Sequence, residues 1–340
     1  PFWGVPFLMK DIALHIRGRA YEMGSRLAAG IVTPHDTFLM ERFRNSGLVT
    51  LGRTNLPEFG WNITTEPVKS GPTRNPWNTS LMAGGSSGGA AAAVAAGIVP
   101  MAHANDGAGS IRIPAACCGL VGLKPTRGRV TAGPDVGEPI FGYGCEFVVT
   151  RTVRDAAQML DAVSRPGSGD PYVIAGPSQD YATCITAKPR KLRIAFMTRS
   201  WSADPVDEAV KTGVLNAVRS CEDLGHIVEE ASPELDYDLW YQAAVKAIYP
   251  AVLAYWISEV AGMMGRKIGP EFLEACTLRT FEYGRGLSAF DLVAGLAKAN
   301  EICRRIAPFF DRYDVLITPT NALVPQPLGR RSVGPGDVAV

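Results

Sequence analysis

Residues 83–97 read AGGSSGGAAAAVAAG, with four glycines around the adjacent Ser86 and Ser87 and then an almost unbroken run of alanine. Alanine is the strongest helix former, and a helix this bare packs very close to its neighbours. A flexible glycine–serine turn against so thin a helix suits a phosphate cradle, a linker or a catalytic turn. A P-loop requires Lys and then Ser or Thr after its last glycine, and the chain instead continues Gly88-Gly89-Ala90. A dinucleotide loop wants a third glycine after Gly107-Ala108-Gly109, where Arg112 stands. The nucleophile elbow G-x-S-x-G matches twice, at 84–88 and 85–89, but it needs a histidine base. Of His15, His35, His103 and His226, only His226 falls in the expected order, beside Gly225 at a helix end. Each of the four reads better as a surface or core histidine.

One reading uses no histidine. Asn105-Asp106-Gly107-Ala108-Gly109-Ser110-Ile111-Arg112 is a second small-residue turn with a serine near its end. Successive small residues let backbone N–H groups converge on one point, as in an oxyanion hole, and Ser110 would sit beside the charge that its own attack creates. Lys10 ends the apolar run Gly4-Val5-Pro6-Phe7-Leu8-Met9. Lysine can replace histidine as a general base, so two serine loops and this lysine suggest a Ser-Ser-Lys relay. A working base must be neutral, and apolar surroundings such as Phe7, Leu8 and Met9 favour the uncharged amine.

The 340 residues, 46% hydrophobic, can bury one large α/β domain or two smaller ones. Charges nearly cancel, 34 basic against 33 acidic, and no basic tract advertises nucleic acid or an anionic membrane. The apolar stretches read as shorter than the ~20 residues of a membrane span. Seven scattered cysteines, with only Cys117 and Cys118 close, signal neither a disulfide framework nor a zinc site, so reduced thiols in a cytoplasmic protein are expected. The chain opens on Pro1 without an initiator Met, and further sequence is expected at both ends.

Residues 4–11 read as a buried strand running into a loop, 33–47 as a helix capped at Thr33-Pro34 and stopped at Gly47, and 49–52 as a strand. A long irregular connection is expected over 60–85, a helix over 89–97, a strand over 98–102, a turn over 106–109 and a helix or buried segment through Leu120. Further on come a helix near 153–163, a Gly/Pro/Ser-rich stretch at 165–178, a strand at 192–196, an amphipathic helix at 205–224, aromatic-rich helices over 236–312 and a strand at 313–320. Strand–helix alternation implies a layered α/β fold.

The chain resembles the amidase signature family. The residues that carry the resemblance are Gly4 to Asp11, Gly84-Gly85-Ser86-Ser87-Gly88-Gly89, Asp106 to Ala115, and Gly119-Leu120-Val121-Gly122-Leu123-Lys124-Pro125-Thr126. Lys10 precedes Ser86 by 76 residues and Ser86 precedes Ser110 by 24, as in that family. Thr64-Thr65-Glu66-Pro67 and Thr73-Arg74-Asn75-Pro76-Trp77-Asn78 resemble its branch of 6-aminohexanoate cyclic dimer hydrolase-like amidases, which take small amides. The resemblance implies a large mixed β-sheet sandwiched between layers of α-helices. It implies one amidase domain over 1–340, with a catalytic core at 4–155 and a more variable substrate-pocket region at 156–340.

By the same resemblance Ser110 is the nucleophile, Ser86 the bridging serine with a cis peptide before it, and Lys10 the base. Amides of Gly107, Ala108, Gly109 and Ser110 form the oxyanion hole, with Ala108 where the family usually has glycine. Ser87 is expected to cap the alanine helix or bond locally, and Asp106 and Arg112 to pair and fix the nucleophile loop. Gly60 and Trp61 fall where the family lines its substrate pocket. Trp240, Tyr241, Tyr249, Tyr255 and Trp256 are expected in the core or the pocket wall, and Cys117 and Cys118 as buried small hydrophobes. The implied activity is hydrolysis of a small-molecule carboxamide through an acyl-enzyme, without metal or cofactor and without nucleic-acid or membrane partners. A homodimer is one assembly open to it. An ester or carbamate hydrolase, the glutamine-amidase subunit of a tRNA amidotransferase and a non-catalytic subunit are the rival readings.

Overall fold

The apolar run that ends in Lys10 becomes the first strand of a mixed sheet in the computed structural model, which describes residues 1–331. The described residues fold into two compact units, one formed by 1–186, 255–281 and 325–331, the other by 187–254 and 282–324.

The strands of the first unit are β1 (Pro6–Lys10), β2 (Val49–Thr54), β3 (Arg74–Asn75), β4 (Asn78–Met82), β5 (Met101–Asp106), β6 (Val121–Gly122) and β7 (Cys145–Thr150). Five of them form a sheet in the order β2-β1-β5-β7-β6. Strand β1 runs parallel to both β2 and β5, whereas β7 is antiparallel to β5 and β6. The expected α/β class with a mixed sheet is what the chain adopts. Every residue of β7 is buried, as is all of β5 except half-buried Asn105, so polar side chains on these strands must find partners inside the fold.

Helices α1 (Phe38–Asn45), α2 (Gly88–Ala95), α3 (Arg112–Cys118) and α4 (Val153–Val163) belong to this unit. Phe7, Met9, Phe43, Val94, Ala102, Phe147 and Met159 share one buried cluster that joins sheet and helices. The alanine helix is thin for a reason. A Cβ on Gly89 would stand 2.4 Å from the backbone nitrogen of Asn55, so only glycine permits α2 to lie this close to the end of β2.

Several boundaries differ from the sequence reading. Helix α1 starts at Phe38 because Thr37, not Thr33, caps it: Thr37 Oγ1 accepts the Met40 N–H, while the Thr33 hydroxyl donates to the Ile16 carbonyl. The connection over 60–85 contains the β3–β4 hairpin. Strand β5 begins at Met101, not Ile98, and runs on through the polar residues to Asp106 because β7 pairs with it along its whole length.

In the second unit, β8 (Arg193–Phe196) is flanked by β9 (Ile227–Glu230) and β10 (Val315–Ile317), all parallel. The helix Glu208–Asp223 connects β8 to β9, the long crossover that parallel pairing demands. The helix Ala289–Ile306 starts with a capping box between Ser288 and Asp291. Of the aromatic residues expected in a core or pocket wall, Tyr249 is buried, Trp240, Tyr241 and Trp256 are half-buried and Tyr255 is exposed.

One helical run exceeds the sequence expectation. Tyr237–Met264 is 28 residues long and apolar enough to cross a membrane by length and composition, although half of its apolar window is buried within the fold. Core helices of soluble proteins meet the same criterion.

Candidate active site

Lys10 is completely buried at the end of β1, and β5 holds it at both ends. The Lys10 backbone N–H donates to His103 Nδ1 at 3.2 Å, and its Nζ donates to Asn105 Oδ1 at 2.5 Å. His103 and Asn105 are two residues apart, so they project from the same face of β5. A backbone N–H can only donate, so Nδ1 is the acceptor and the His103 proton resides on Nε2, 2.9 Å from Glu146 Oε2 on β7. On its other side, Lys10 Nζ lies 2.7 Å from Ser86 Oγ. Burial strips the ammonium of its hydration and lowers the lysine pKa to about 7, against the opposing pull of the Glu146 and Asp106 charges.

Ser86 is buried and follows a cis peptide bond from Gly85. Thr65 pins this loop: its hydroxyl donates to the Gly84 carbonyl at 2.9 Å and accepts the Gly88 N–H at 3.2 Å. Ser87 occupies the N-cap position of α2, yet its hydroxyl does not cap the helix. It donates instead to the Asn105 carbonyl at 3.3 Å, the local bonding that was the other expectation for it. The Ser87 N–H donates to the Ser110 carbonyl at 3.3 Å and so joins the two serine loops. Among the described residues, the Ser110 hydroxyl makes no hydrogen bond, to Ser86 or to any other group; Lys10 and Ser86 are in contact, and the Ser110 backbone is joined to Ser87, the residue after Ser86.

Asp106 shapes the loop that carries Ser110. Its carboxylate accepts the N–H groups of Gly109, Ile111 and Arg112 at 2.6, 3.2 and 3.4 Å. It also binds the Arg112 guanidinium through Nε and Nη2, both at 2.8 Å. Burial alone would push this carboxyl up, but the Arg112 contacts and the backbone donors hold it below the usual aspartate range. The Gly109 N–H, one of the amides expected in the oxyanion hole, is thus engaged by Asp106. The N–H groups of Ala108 and Ser110 have no acceptor among the described residues. Alanine at 108 costs no strain, because the positive φ of this turn, +110°, falls on Gly109.

Gly60 closes the other side of Ser86. Its φ is +71°, and a Cβ placed there would lie 3.3 Å from Ser86 Oγ. The same turn ends at half-buried Trp61, whose indole N–H donates to Thr280 Oγ1 at 3.2 Å. Buried Phe59 before it has a φ of 51°, and its N–H donates to the Met23 carbonyl at 2.8 Å. The Met23 N–H in turn donates to the Asp11 carbonyl at 3.1 Å, tying this turn to the residue after Lys10. Cys117 and Cys118 are buried thiols whose pKa values burial pushes up to about 11 and about 12, in keeping with inert small hydrophobes.

Asn105, His103, Glu146 and Thr65 hold the site together and were not named as site residues from the sequence. The alternation of His103 and Asn105 along β5 was the available signal, hidden because the strand reads as ending at 102 and Asn105 as opening the small-residue turn.

A mixed sheet bearing a buried lysine against one glycine-flanked serine, with a second serine loop beside it, is the architecture of one enzyme class. The chain belongs to the amidase family, whose family model matches residues 1–338. It is 38% identical over 282 residues to the 6-aminohexanoate-cyclic-dimer hydrolase of Paenarthrobacter ureafaciens, a match covering 81% of this chain and 57% of that protein. The acylamidase of Rhodococcus erythropolis is 32% identical over 328 residues, covering 96% of this chain and 67% of that protein. The solved structure of 6-aminohexanoate cyclic dimer hydrolase complexed with substrate superposes with a TM-score of 0.93 at 33% identity, over 99% of this chain and 71% of that one. The chain thus spans little more than half the length of the first of these relatives.

Proposed function

We propose that this chain carries the catalytic centre of an amide hydrolase that cleaves small-molecule carboxamides through an acyl-enzyme on Ser110. The observation that supports it most is the 2.7 Å contact between fully buried Lys10 Nζ and Ser86 Oγ, with the lysine pKa near 7. An amine with that pKa is substantially neutral at working pH, so its lone pair accepts the Ser86 proton. Ser86 Oγ takes the Ser110 proton once the Ser110 hydroxyl turns toward it, a contact of the kind that tightens when substrate binds. Ser110 Oγ then bonds to the amide carbon, and the carbonyl oxygen becomes an oxyanion facing the Ala108 and Ser110 N–H groups.

Collapse breaks the C–N bond. The leaving amine takes a proton from Ser86, which recovers one from the Lys10 ammonium. Water then attacks the acyl carbon, giving its proton to Ser86 and on to Lys10, and the acid departs as Ser110 recovers its hydrogen. Relatives named as hydrolases of a cyclic amide dimer and as an acylamidase support amides as the substrate class.

Reaction of the purified protein with a fluorophosphonate, followed by peptide mapping, tests the assignment. An adduct on Ser110 that is lost in Lys10→Ala and Ser86→Ala supports the relay; an adduct on Ser87 alone overturns it. Turnover on a panel of anilides, linear and cyclic amides, esters and carbamates separates an amidase from an esterase of the same fold.

A further inference from the structure

Three side chains outside this site converge from separate loops. His15 lies on the segment after β1, His35 just ahead of α1, and Asp135 on the loop between β6 and β7. His15 Nδ1 is 3.1 Å from Asp135 Oδ2, and His35 Nε2 is 2.9 Å from Oδ1 and 3.0 Å from Oδ2 of the same carboxylate. One nitrogen from each imidazole and one carboxylate oxygen fall within 4.8 Å of one another.

The surrounding backbone holds these loops in place. The Thr37 N–H donates to the His15 carbonyl at 3.3 Å, and the Phe38 N–H to the Gly133 carbonyl at 3.0 Å. The Tyr21 ring meets His15 edge-on at 4.4 Å, and its hydroxyl accepts the Ala13 N–H at 2.9 Å. A second observation concerns His15 itself. Its Nδ1 is sealed from solvent and makes no hydrogen bond of standard geometry, with an Asp135 oxygen 3.1 Å away. Buried polar atoms in folded proteins usually have a well-aligned partner, and this one has only the Asp135 carboxylate beside it.

The geometry points to a divalent transition-metal site, with His15 Nδ1, His35 Nε2 and the Asp135 carboxylate as protein ligands and solvent completing the shell. Metal–ligand bonds of a tetrahedral zinc ion set neighbouring ligand atoms roughly 3.3 Å apart, so the two histidine–carboxylate separations need widen by only a few tenths of an ångström, and the two imidazole nitrogens, within 4.8 Å of each other, draw together onto the ion. Two imidazoles and one carboxylate favour Zn²⁺ and its neighbours over Mg²⁺ or Ca²⁺, which prefer all-oxygen shells. The ion would clasp the segment that follows Lys10 to a loop 100 residues away from His35 in sequence. Its role there is structural, and no step of the proposed hydrolysis passes through it.

The test uses the purified chain, stripped with a chelator and titrated with Zn²⁺ by calorimetry, and with Co²⁺ to read the ligand field. We expect one equivalent bound, a Co²⁺ spectrum of nitrogen and oxygen ligands, and a thermal midpoint raised by Zn²⁺ but not by equal Mg²⁺. His35→Ala and Asp135→Asn should each weaken Zn²⁺ binding at least about tenfold and abolish the thermal shift, since removing even an outer-shell partner costs ~10–100-fold. Both residues are more than a third exposed, so the variants should fold, which circular dichroism is used to check. No binding by the wild-type chain overturns the proposal. So does binding that survives both substitutions, which would place the metal elsewhere, or a thiolate-to-cobalt band, which would assign it to the cysteines.

Discussion

Asn105 Oδ1 accepts a hydrogen bond from Lys10 Nζ at 2.5 Å. An amide oxygen cannot take the proton at neutral pH, so it occupies an N–H of the amine and leaves the lone pair for Ser86. Asn105→Asp keeps the shape but sets a carboxylate on the amine, which favours the ammonium. The limb of the pH–rate profile assigned to Lys10 should move alkaline by roughly 1–3 pH units, with kcat reduced at pH 7. A profile unchanged in Asn105→Asp would mean that Lys10 does not titrate in the rate-limiting step.

In the wild-type protein, kcat/KM should rise with pH through about 7 as Lys10 loses its proton. Lys10→Ala should lower kcat by roughly 10²–10⁴-fold, the usual contribution of a general base. The same residue carries a stability signature of definite sign. Its folded pKa lies below the unfolded value of ~10.4, so between these limits the unfolded chain binds the extra proton and stability falls as pH drops from about 10 toward 7. Lys10→Met should flatten that slope in thermal melts over this range.

Ser86 and Ser87 are adjacent but should not be equivalent. The long 3.3 Å bond from the Ser87 hydroxyl to the Asn105 carbonyl makes Ser87→Ala a mild change, whereas Ser86→Ala removes the group in contact with Lys10. Steady-state kinetics of the two variants should differ by at least about 10²-fold in kcat, by the usual contribution of positioned proton transfer.

Gly60→Ala should damage both rate and stability. The new methyl would press on Ser86 Oγ at 3.3 Å, and the residue would have to hold a φ of +71°. The left-handed conformation alone costs about 1–2 kcal/mol in an L-residue, readable by chemical denaturation, and kcat should fall while KM changes less.

Asp106→Asn removes the charge that Arg112 and the Ser110 loop enclose. The carboxylate is held below its ordinary pKa, so its contribution to stability is present above pH ~4 and disappears as pH falls through the lower folded value. The variant should lose about 1–3 kcal/mol near neutral pH and show a shallower acid limb in melts between pH 2 and ~5, as expected when charged hydrogen bonds are lost.

How much of this was legible in the sequence depended on whether the cause was local. Helix α4 was readable to the residue because Thr152 caps it and its apolar positions repeat at helical spacing. The two serine turns and the lysine at a strand end were visible through glycine placement and apolar run length. The start of α1 was misread because two threonines four residues apart offer the same cap, and the choice lies with a distant carbonyl at Ile16. Strand β5 was misplaced because its polar end is strand only by virtue of β7. The same non-local pairing concealed His103, Asn105 and Glu146, whose roles exist only once three strands lie side by side. The commitment of the Gly109 N–H was equally hidden, since it depends on the carboxylate of Asp106 folding back across its own loop.

Lys10 is gripped by its main-chain nitrogen at His103 and by its terminal amine at Asn105, two neighbours on a single rigid strand. The spacing along that strand therefore acts as a gauge of side-chain length. A shorter basic homologue such as ornithine would fall one methylene short of the hydroxyl even if its charge state were ideal, and arginine would overshoot it. At this position reach, as much as basicity, selects lysine among the natural amino acids.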